Sequence, residues 1–386
     1  MDAVTINDQL IAFRHRPSLG KTIVFANSLG SDQSIWDDVI ACLPGGYGVL
    51  TYELRGHGQS GLSEKYQISD LADDVEGLVV SLGLSDVIFC GVSVGGLIGQ
   101  ELACRNPGWL SAVILCNTAP VIGSAERWSE RIAAVEAGGL DAIAQTIIDN
   151  WFGKAYALAH PDRLRLHLRM LSRTLPAGYI NACRAIASAD LTSSIAKIAC
   201  PVLCIGGEED KSVPVEDVRA MARAIPNAQI EILNGIGHLP CLEAPATLAR
   251  LIEQFDQRAE SAVDRGLAIR RAVLGEAHVE RAEAHKTELD LAFQSLITVG
   301  AWGTVWDSPG ISSRERSMLT LALLAAQGNF EEIPMHVRAT KRTGATERDM
   351  AEAMQHVAIY AGVPRANNAL KLIKATLSEM KAKSDE

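Results

Sequence analysis

Strand-like apolar runs recur along this chain of 386 residues and then stop at about residue 256. Lys21–Ala26, Gly48–Tyr52, Val87–Cys90, Ala112–Cys116, Val202–Ile205 and Gln229–Leu233 are short, apolar and mostly separated by stretches with helical periodicity. That alternation predicts a mostly parallel, doubly wound α/β sheet with helices on both faces. The rhythm lapses between Val121 and Ala189, so a helical cap is expected over about residues 121–190. After Asp264 only helical periodicity remains, in Arg265–Lys286, Glu288–Trp302, Ser312–Gln327, Met335–Arg342, Glu347–Tyr360 and Arg365–Lys381. Gly303, Pro309-Gly310, Gly328, Gly344 and Gly362-Val-Pro364 punctuate it, and Ser312 with Glu315 and Thr346 with Asp349 suit capping boxes. Two domains are therefore expected, an α/β domain over 1–258 and an all-helical one over 264–386, joined by the polar segment Gln257–Asp264.

Apolar residues make up 48% of the chain and charged ones 21%, a globular balance. A formal charge of −10 argues against nucleic acid as a partner. Met1-Asp2-Ala3 leads into polar sequence without a basic, apolar leader, and no apolar run reaches membrane-spanning length, so a cytoplasmic enzyme with no membrane partner is expected. The eight cysteines end at Cys241 and none form a C-x-x-C pair, which reads as buried free thiols in a reducing compartment.

Gly91-Val-Ser-Val-Gly95 lies between a strand-like run and the helical stretch Leu97–Arg105. Glycine two residues either side of a serine suits a nucleophile elbow, where the chain reverses so tightly that a Cβ would collide with strand or helix. The bare motif also arises by chance; its context and its partners give it weight. A serine hydroxyl needs a base and a group to orient that base. Asp210, beyond the strand Val202–Ile205, and His238, beyond the strand Gln229–Leu233, follow Ser93 in the order acid then base. Glu208 and Glu209 are rivals for the acid, with the loop spacing favouring Asp210. The N–H groups of Val94 and of Leu29, in Asn27-Ser-Leu-Gly30, are candidate oxyanion donors. His57, in the tight turn Glu53–Ser60, precedes the serine and is better read as structural. On these residues alone the substrate could be an ester, a lactone, an amide or a C–C bond.

Phe25-Ala-Asn-Ser-Leu-Gly-Ser31, Gly91-Val-Ser-Val-Gly-Gly96 and Gly237-His-Leu-Pro-Cys-Leu-Glu243 resemble the 3-oxoadipate enol-lactonases of the α/β-hydrolase superfamily, over roughly residues 5–256. Ala125-Glu-Arg-Trp128 and Asp149-Asn-Trp-Phe152 are similar to cap segments of that family. The resemblance implies that Trp128 and Trp151 roof the pocket, although core tryptophans would read the same way.

In the helical half, Glu332 and His336 are four residues apart, which places them on one helix face if Glu332 is already helical. A carboxylate there would fix the imidazole tautomer and raise its basicity, while an ordinary surface pair has the same spacing. Pro334 is tolerated in a first turn, so the helix is expected to begin near Ile333. His356, among apolar neighbours, reads as structural. His278, His285, His336 and His356 carry no metal-site spacing, and no metal is expected.

Arg270-Arg-Ala-Val-Leu-Gly-Glu-Ala-His-Val279, Ala301-Trp-Gly-Thr-Val-Trp306, Arg316–Leu324, His336-Val-Arg-Ala and Tyr360-Ala-Gly-Val-Pro364 resemble 4-carboxymuconolactone decarboxylase, over roughly residues 264–380. That family is similar in fold to the alkylhydroperoxidase-like redox proteins, whose C-x-x-C chemistry a half without cysteine cannot perform. Glu332-Ile-Pro-Met-His336 departs from the family's Glu-Leu-x-x-His form in its middle residues and keeps the Glu and the His. The resemblance implies His336 as proton donor, Glu332 as its holder, Arg314 and Arg316 as anion clamps or else solvated helix residues, and assembly into a homo-oligomer. No cofactor is implied, because the lactone carbonyl accepts the electrons that CO₂ leaves behind.

The combined expectation is a bifunctional enzyme of protocatechuate catabolism that decarboxylates the lactone and then hydrolyses it. The alternative is a serine hydrolase on another ester or C–C bond, joined to a non-catalytic helical oligomerisation domain.

Overall fold

The computed structural model describes residues 1–18, 20–308 and 310–382; Pro309 of the expected turn and the last four residues of the helical half lie outside them. The chain divides into two compact units, Met1–Ala259 and Glu260–Glu386.

The first unit is built on eight strands: β1 (Asp2–Ile6), β2 (Gln9–Arg16), β3 (Thr22–Ala26), β4 (Gly48–Tyr52), β5 (Val87–Val92), β6 (Leu110–Cys116), β7 (Val202–Gly207) and β8 (Gln229–Leu233). They form one sheet in the order β1-β2-β4-β3-β5-β6-β7-β8. β1 and β2 pair antiparallel, as do β2 and β4, and the remaining pairs are parallel. β3, β4 and β5 are buried along their whole length, as strands covered on both faces must be. The antiparallel pair β1–β2 is the part absent from the sequence expectation. Its turn is Asn7-Asp8, both at positive φ (49° and 62°), the geometry of a two-residue type I′ hairpin.

The chain runs from β3 outward to β4 and then returns to β5 on the other side of β3, which makes the β3–β5 boundary a topological switch point. Crevices open at the carboxyl ends of strands beside such a point. Between β6 and β7 the chain leaves the sheet for five helices, Ala125–Gly138, Asp141–Trp151, Lys154–Ala159, Pro161–Ser172 and Pro176–Ala187. Their apolar faces bury Trp128, Val135, Ile147, Ile148, Trp151 and Tyr179 in the same core as the sheet. Cys42 is exposed and Cys104 half-buried, while the other six thiols are buried.

The second unit is helical throughout its described residues. The expected single helix Arg265–Lys286 is broken: helix ends at Leu274, Gly275 takes φ 93°, and a new helix runs Glu276–Ala284. A positive φ that glycine alone adopts easily ends the turn. Glu288–Leu296 is α-helical, but Ile297–Trp306 winds as a π-helix, with Thr304 Oγ1 donating to the Val299 carbonyl five residues back at 2.9 Å. Trp302 and Trp306 stack with centroids 5.3 Å apart. Helices Ser313–Gln327, Ile333–Thr343, Glu347–Tyr360 and Val363–Ala382 follow, and the Ser312/Glu315 and Thr346/Asp349 capping boxes both form. Leu321, Ile333, Val337, Met350, Met354 and Ile373 centre one core, and Val273, Val279, Trp302 and Ala339 a smaller one. His356, read as structural among apolar neighbours, is exposed, its ring stacked on that of exposed Tyr360.

Candidate active sites

Ser93 sits between β5 and the helix Val94–Arg105 at φ 58°, ψ −117°, a strained conformation for a residue with a side chain. The neighbouring glycines permit it. A Cβ on Gly91 would lie 2.1 Å from the Gly95 carbonyl oxygen, and one on Gly95 would lie 2.4 Å from the Ala26 oxygen. The Ser93 carbonyl accepts from Thr118 Oγ1 at 2.8 Å, and its N–H donates to the Cys116 carbonyl at 3.0 Å.

His238 and Asp210 follow β8 and β7, at the same sheet edge. His238 Nδ1 lies 2.8 Å from Asp210 Oδ2, with both side chains almost wholly buried. Asp210 Oδ1 accepts the N–H groups of Ser212 (2.7 Å) and Val213 (3.1 Å), so the carboxylate is held at both oxygens. Its rivals are engaged elsewhere: Glu208 accepts the Gly235 N–H at 3.2 Å, and Glu209 that of Lys154 at 2.7 Å.

The loop after β3 carries Leu29, and no acceptor among the described residues takes the N–H of Leu29 or Val94. The next N–H, of Gly30 at φ 76°, donates to His57 Nε2 at 3.1 Å, and His57 Nδ1 lies 3.1 Å from the Arg55 carbonyl. A carbonyl only accepts, so the proton is on Nδ1 and the ring is neutral, a state that burial favours by pushing its pKa down. His57 braces the loop that carries Leu29. Arg55 is itself fixed by a buried bidentate pair with Asp74 at 2.6 and 2.7 Å.

Trp128 and Trp151 are both buried, at 5% and 3% exposure. Trp128 Nε1 donates to the Ile122 carbonyl at 2.6 Å, and Trp151 meets the His loop through its backbone, its carbonyl accepting the His238 N–H at 2.7 Å.

Several residues near this site had no sequence signal as site residues. Arg131 lies over the Trp128 ring, 5.1 Å from its centroid, and Arg127 donates to the Ser212 carbonyl at 3.2 Å. Neither guanidinium has a carboxylate partner among the described residues. Burial and the neighbouring Arg131 charge lower the Arg127 pKa. Beside them lies Tyr179, whose fully buried ring packs against Gly30 and whose hydroxyl meets the Arg131 guanidinium. Arg127 also lies within the field of the Asp210 carboxylate, which opposes the lowering of its pKa.

In the second unit His336 lies on the helix Ile333–Thr343, half-buried, and burial together with His278 pushes its pKa down to about 4. The expected Glu332–His336 grip is absent among the described hydrogen bonds. Glu332 ends a 3-10 turn, Phe330–Glu332, and stands at the N-cap of the following helix in helical φ/ψ (−82°, −20°), at the mouth where it was expected. Its charge bears instead on His278, whose pKa burial and Arg270 lower and Glu332 raises. Glu332 lines an open recess of about 520 Å³ with Gly328, Asn329, Phe330 and Glu331. Arg314 is not a free anion clamp: it forms a bidentate pair with Asp349 at 2.7 and 2.5 Å. Asp349 is the residue that closes the Thr346 capping box, and the pairing holds its carboxyl below the usual range. Arg316 is buried and donates to the Ser308 carbonyl at 2.6 Å. Arg270, equally buried, bonds Gln294 at 3.0 Å and leaves its Nε without an acceptor. Among the described residues no group of three side chains could hold a metal, and no helix is long and apolar enough to cross a membrane.

Residues 23–251 match the Alpha/beta hydrolase family and residues 291–375 the Carboxymuconolactone decarboxylase family. The 3-oxoadipate enol-lactonase 2 of Acinetobacter baylyi is 34% identical over 256 residues, covering 66% of this chain and 94% of that protein. The 4-carboxymuconolactone decarboxylase of the same organism is 36% identical over 121 residues, covering 31% of this chain and 90% of that protein. The nitrosuccinic acid decarboxylase npaB of Metarhizium robertsii is 38% identical over 122 residues, covering 32% of this chain and 85% of that protein. The chain thus belongs to two families joined in one polypeptide, the alpha/beta hydrolases in its first unit and the carboxymuconolactone decarboxylases in its second.

Proposed function

We propose that the chain is a bifunctional enzyme of the 3-oxoadipate pathway, decarboxylating 4-carboxymuconolactone in its helical unit and hydrolysing the resulting 3-oxoadipate enol-lactone in its α/β unit. The observation that carries this reading is the union in one chain of relatives named for those two activities. In the hydrolase, Ser93 Oγ attacks the lactone carbonyl and His238 Nε2 takes its proton. Asp210, bonded at Nδ1, keeps the imidazole in that tautomer. The N–H groups of Leu29 and Val94 receive the oxyanion. The proton then goes to the departing enol oxygen, and the enol becomes a ketone, which draws the step forward. Water, activated by His238, releases the acid from Ser93. Trp128 and Trp151 wall the pocket, and Arg127 and Arg131 favour a carboxylate-bearing lactone over a neutral ester.

In the decarboxylase, the bond to CO₂ breaks and its electron pair passes through the ring double bond into the lactone carbonyl. A ring carbon then takes a proton. His336, neutral when the pocket is empty, gains proton affinity once an anionic substrate lies beside it and so becomes the donor. Glu332 at the helix mouth supports the His278 imidazole electrostatically, and Arg316 is the remaining clamp candidate. Exposed Leu289, Phe293, Ile359 and Tyr360 favour a homo-oligomer built through the helical unit.

The test is to feed 4-carboxymuconolactone to the Ser93→Ala variant. Accumulation of enol-lactone is expected. Unchanged substrate would refute the two-activity reading and leave the helices an assembly role only. Nitrosuccinate is run in parallel, and turnover of it alone would redirect the substrate of the second unit.

A further inference from the structure

We infer that Glu243 is a positioning residue for His238, its carboxylate fastening the loop that carries the imidazole to a corner of the cap. The inference rests on the Ser93–His238–Asp210 reading.

Glu243 ends the short helix Pro240–Glu243, five residues after His238. Its Oε1 accepts the N–H of Gly237, the residue before His238, at 3.0 Å. Its Oε2 accepts the N–H of Gly153, between the cap helices Asp141–Trp151 and Lys154–Ala159, at 2.8 Å. The same seam is closed by the His238 N–H, which donates to the Trp151 carbonyl at 2.7 Å. From the sheet side, Asn117 Nδ2 donates to the Gly237 carbonyl while Asn117 Oδ1 accepts the Gly207 N–H, both at 2.7 Å. Backbones touch here: a Cβ on Gly153 would lie 2.4 Å from the Gly235 oxygen, and one on Gly237 would lie 2.7 Å from the Trp151 oxygen. The cap corner therefore cannot shift without carrying the segment before His238 with it.

The bridge needs an ionised carboxylate. Gly153 and Gly237 both present N–H donors, and the anion is a strong acceptor at each oxygen, whereas a protonated acid keeps only a weak one at its hydroxyl. A glutamine turns one of its two ends into a donor facing a donor, and a protonated acid weakens one of the two bonds. Burial pushes the Glu243 carboxyl up to about 7 against the pull of these N–H groups, with Asp210 adding to the rise. The other charged groups at the seam are Glu208, bonded to the Gly235 N–H, Glu209, bonded to the Lys154 N–H, Lys154 itself and His238. Acidification through neutrality therefore weakens the bridge, and with it the placement of His238.

The full-length chain and its Glu243→Gln and Glu243→Asp variants are compared for hydrolysis of p-nitrophenyl acetate across pH and for labelling of Ser93 by a fluorophosphonate. Glu243→Gln is expected to lose about 10- to 100-fold in kcat at pH 8, the scale of a displaced catalytic group, with KM little changed. Its acidic limb should show one ionisation where the parent shows two. Glu243→Asp, which keeps the charge, should recover part of the rate and the second ionisation. Parental kcat and an unaltered limb in Glu243→Gln would overturn the inference. Should Glu243→Gln not fold, Glu243→Asp decides: an acidic limb with one ionisation in both it and the parent would also overturn it. A parent in which Ser93 is not labelled would refute the triad reading beneath it.

Discussion

Replacing His57 by phenylalanine tests whether its imidazole holds the loop after β3, which carries the proposed oxyanion donor Leu29. The imidazole is 1% exposed and makes two bonds of 3.1 Å, from the Gly30 N–H and to the Arg55 carbonyl. Phenylalanine fills a similar volume, so little cavity is added. The substitution strands one buried donor and one buried acceptor, each costing roughly 1–3 kcal/mol, for a total loss of roughly 2–6 kcal/mol. Urea denaturation of the full chain measures it. The bond lost at Gly30 lies next to Leu29, whose N–H is an intended oxyanion donor, so kcat on p-nitrophenyl acetate should fall by about 10²- to 10³-fold. pH gives an independent check. His57 has its pKa lowered by burial, so the unfolded chain binds a proton there more readily than the folded one. Its contribution is therefore complete above the ordinary histidine pKa of about 6.5 and is lost as pH falls towards the depressed folded value. The phenylalanine variant should lack that part of the acid sensitivity. A destabilised variant with parental kcat would refute the link from His57 to the oxyanion loop, and parental stability would refute the brace itself.

Gly95→Ala should abolish Ser93 labelling, because its Cβ would meet the Ala26 backbone at 2.4 Å and the strand leading to Leu29 cannot yield cheaply; labelling at the parental rate would show that the elbow is looser than described. Asp210→Asn should cost about 10⁴-fold in kcat while Glu209→Gln leaves it within a factor of about three, as expected if only Asp210 orients the imidazole; steady-state assays of both decide it. Arg131→Ala should raise KM for the enol-lactone far more than for p-nitrophenyl acetate, whose acyl group has no carboxylate, and equal effects on the two would remove Arg131 from substrate recognition. Arg314→Ala should leave decarboxylation unaltered, because Asp349 already holds that guanidinium, and a lost activity would restore Arg314 to the site.

What could be read from residues alone divides by the range of the interactions involved. The buried parallel strands announce themselves because both faces are apolar, so Thr22–Ala26 and Val87–Val92 are continuous runs. The β1–β2 hairpin is half-solvated and polar, and only the Asn7-Asp8 turn marks it. Ser93 was legible because its constraint is local: the glycines and the strand–turn–helix sequence lie within a dozen residues. Loop spacing already favoured Asp210 over Glu208 and Glu209, and the backbone partners of those two, which no spacing reveals, point the same way. Glu243 gave no sign of a role, since its meaning depends on the N–H of Gly153, ninety residues away in the chain. Arg314 looked free for the converse reason, its partner Asp349 lying thirty-five residues ahead. In Glu332-Ile-Pro-Met-His336 the helix start near Ile333 was legible from Pro334, whereas spacing alone did not say whether the two side chains would bond.

The distribution of thiols has a practical consequence. All eight cysteines belong to the α/β unit, and only Cys42 is exposed. Burial pushes Cys183, Cys200 and Cys204 up to about 12, so in the native state they are neither accessible nor ionised. A pulse of alkylating reagent will therefore mark Cys42 at once and the buried thiols only as the sheet opens, while the helical unit stays silent. The chain carries its own clock for the unfolding of one unit, readable by mass without any introduced label.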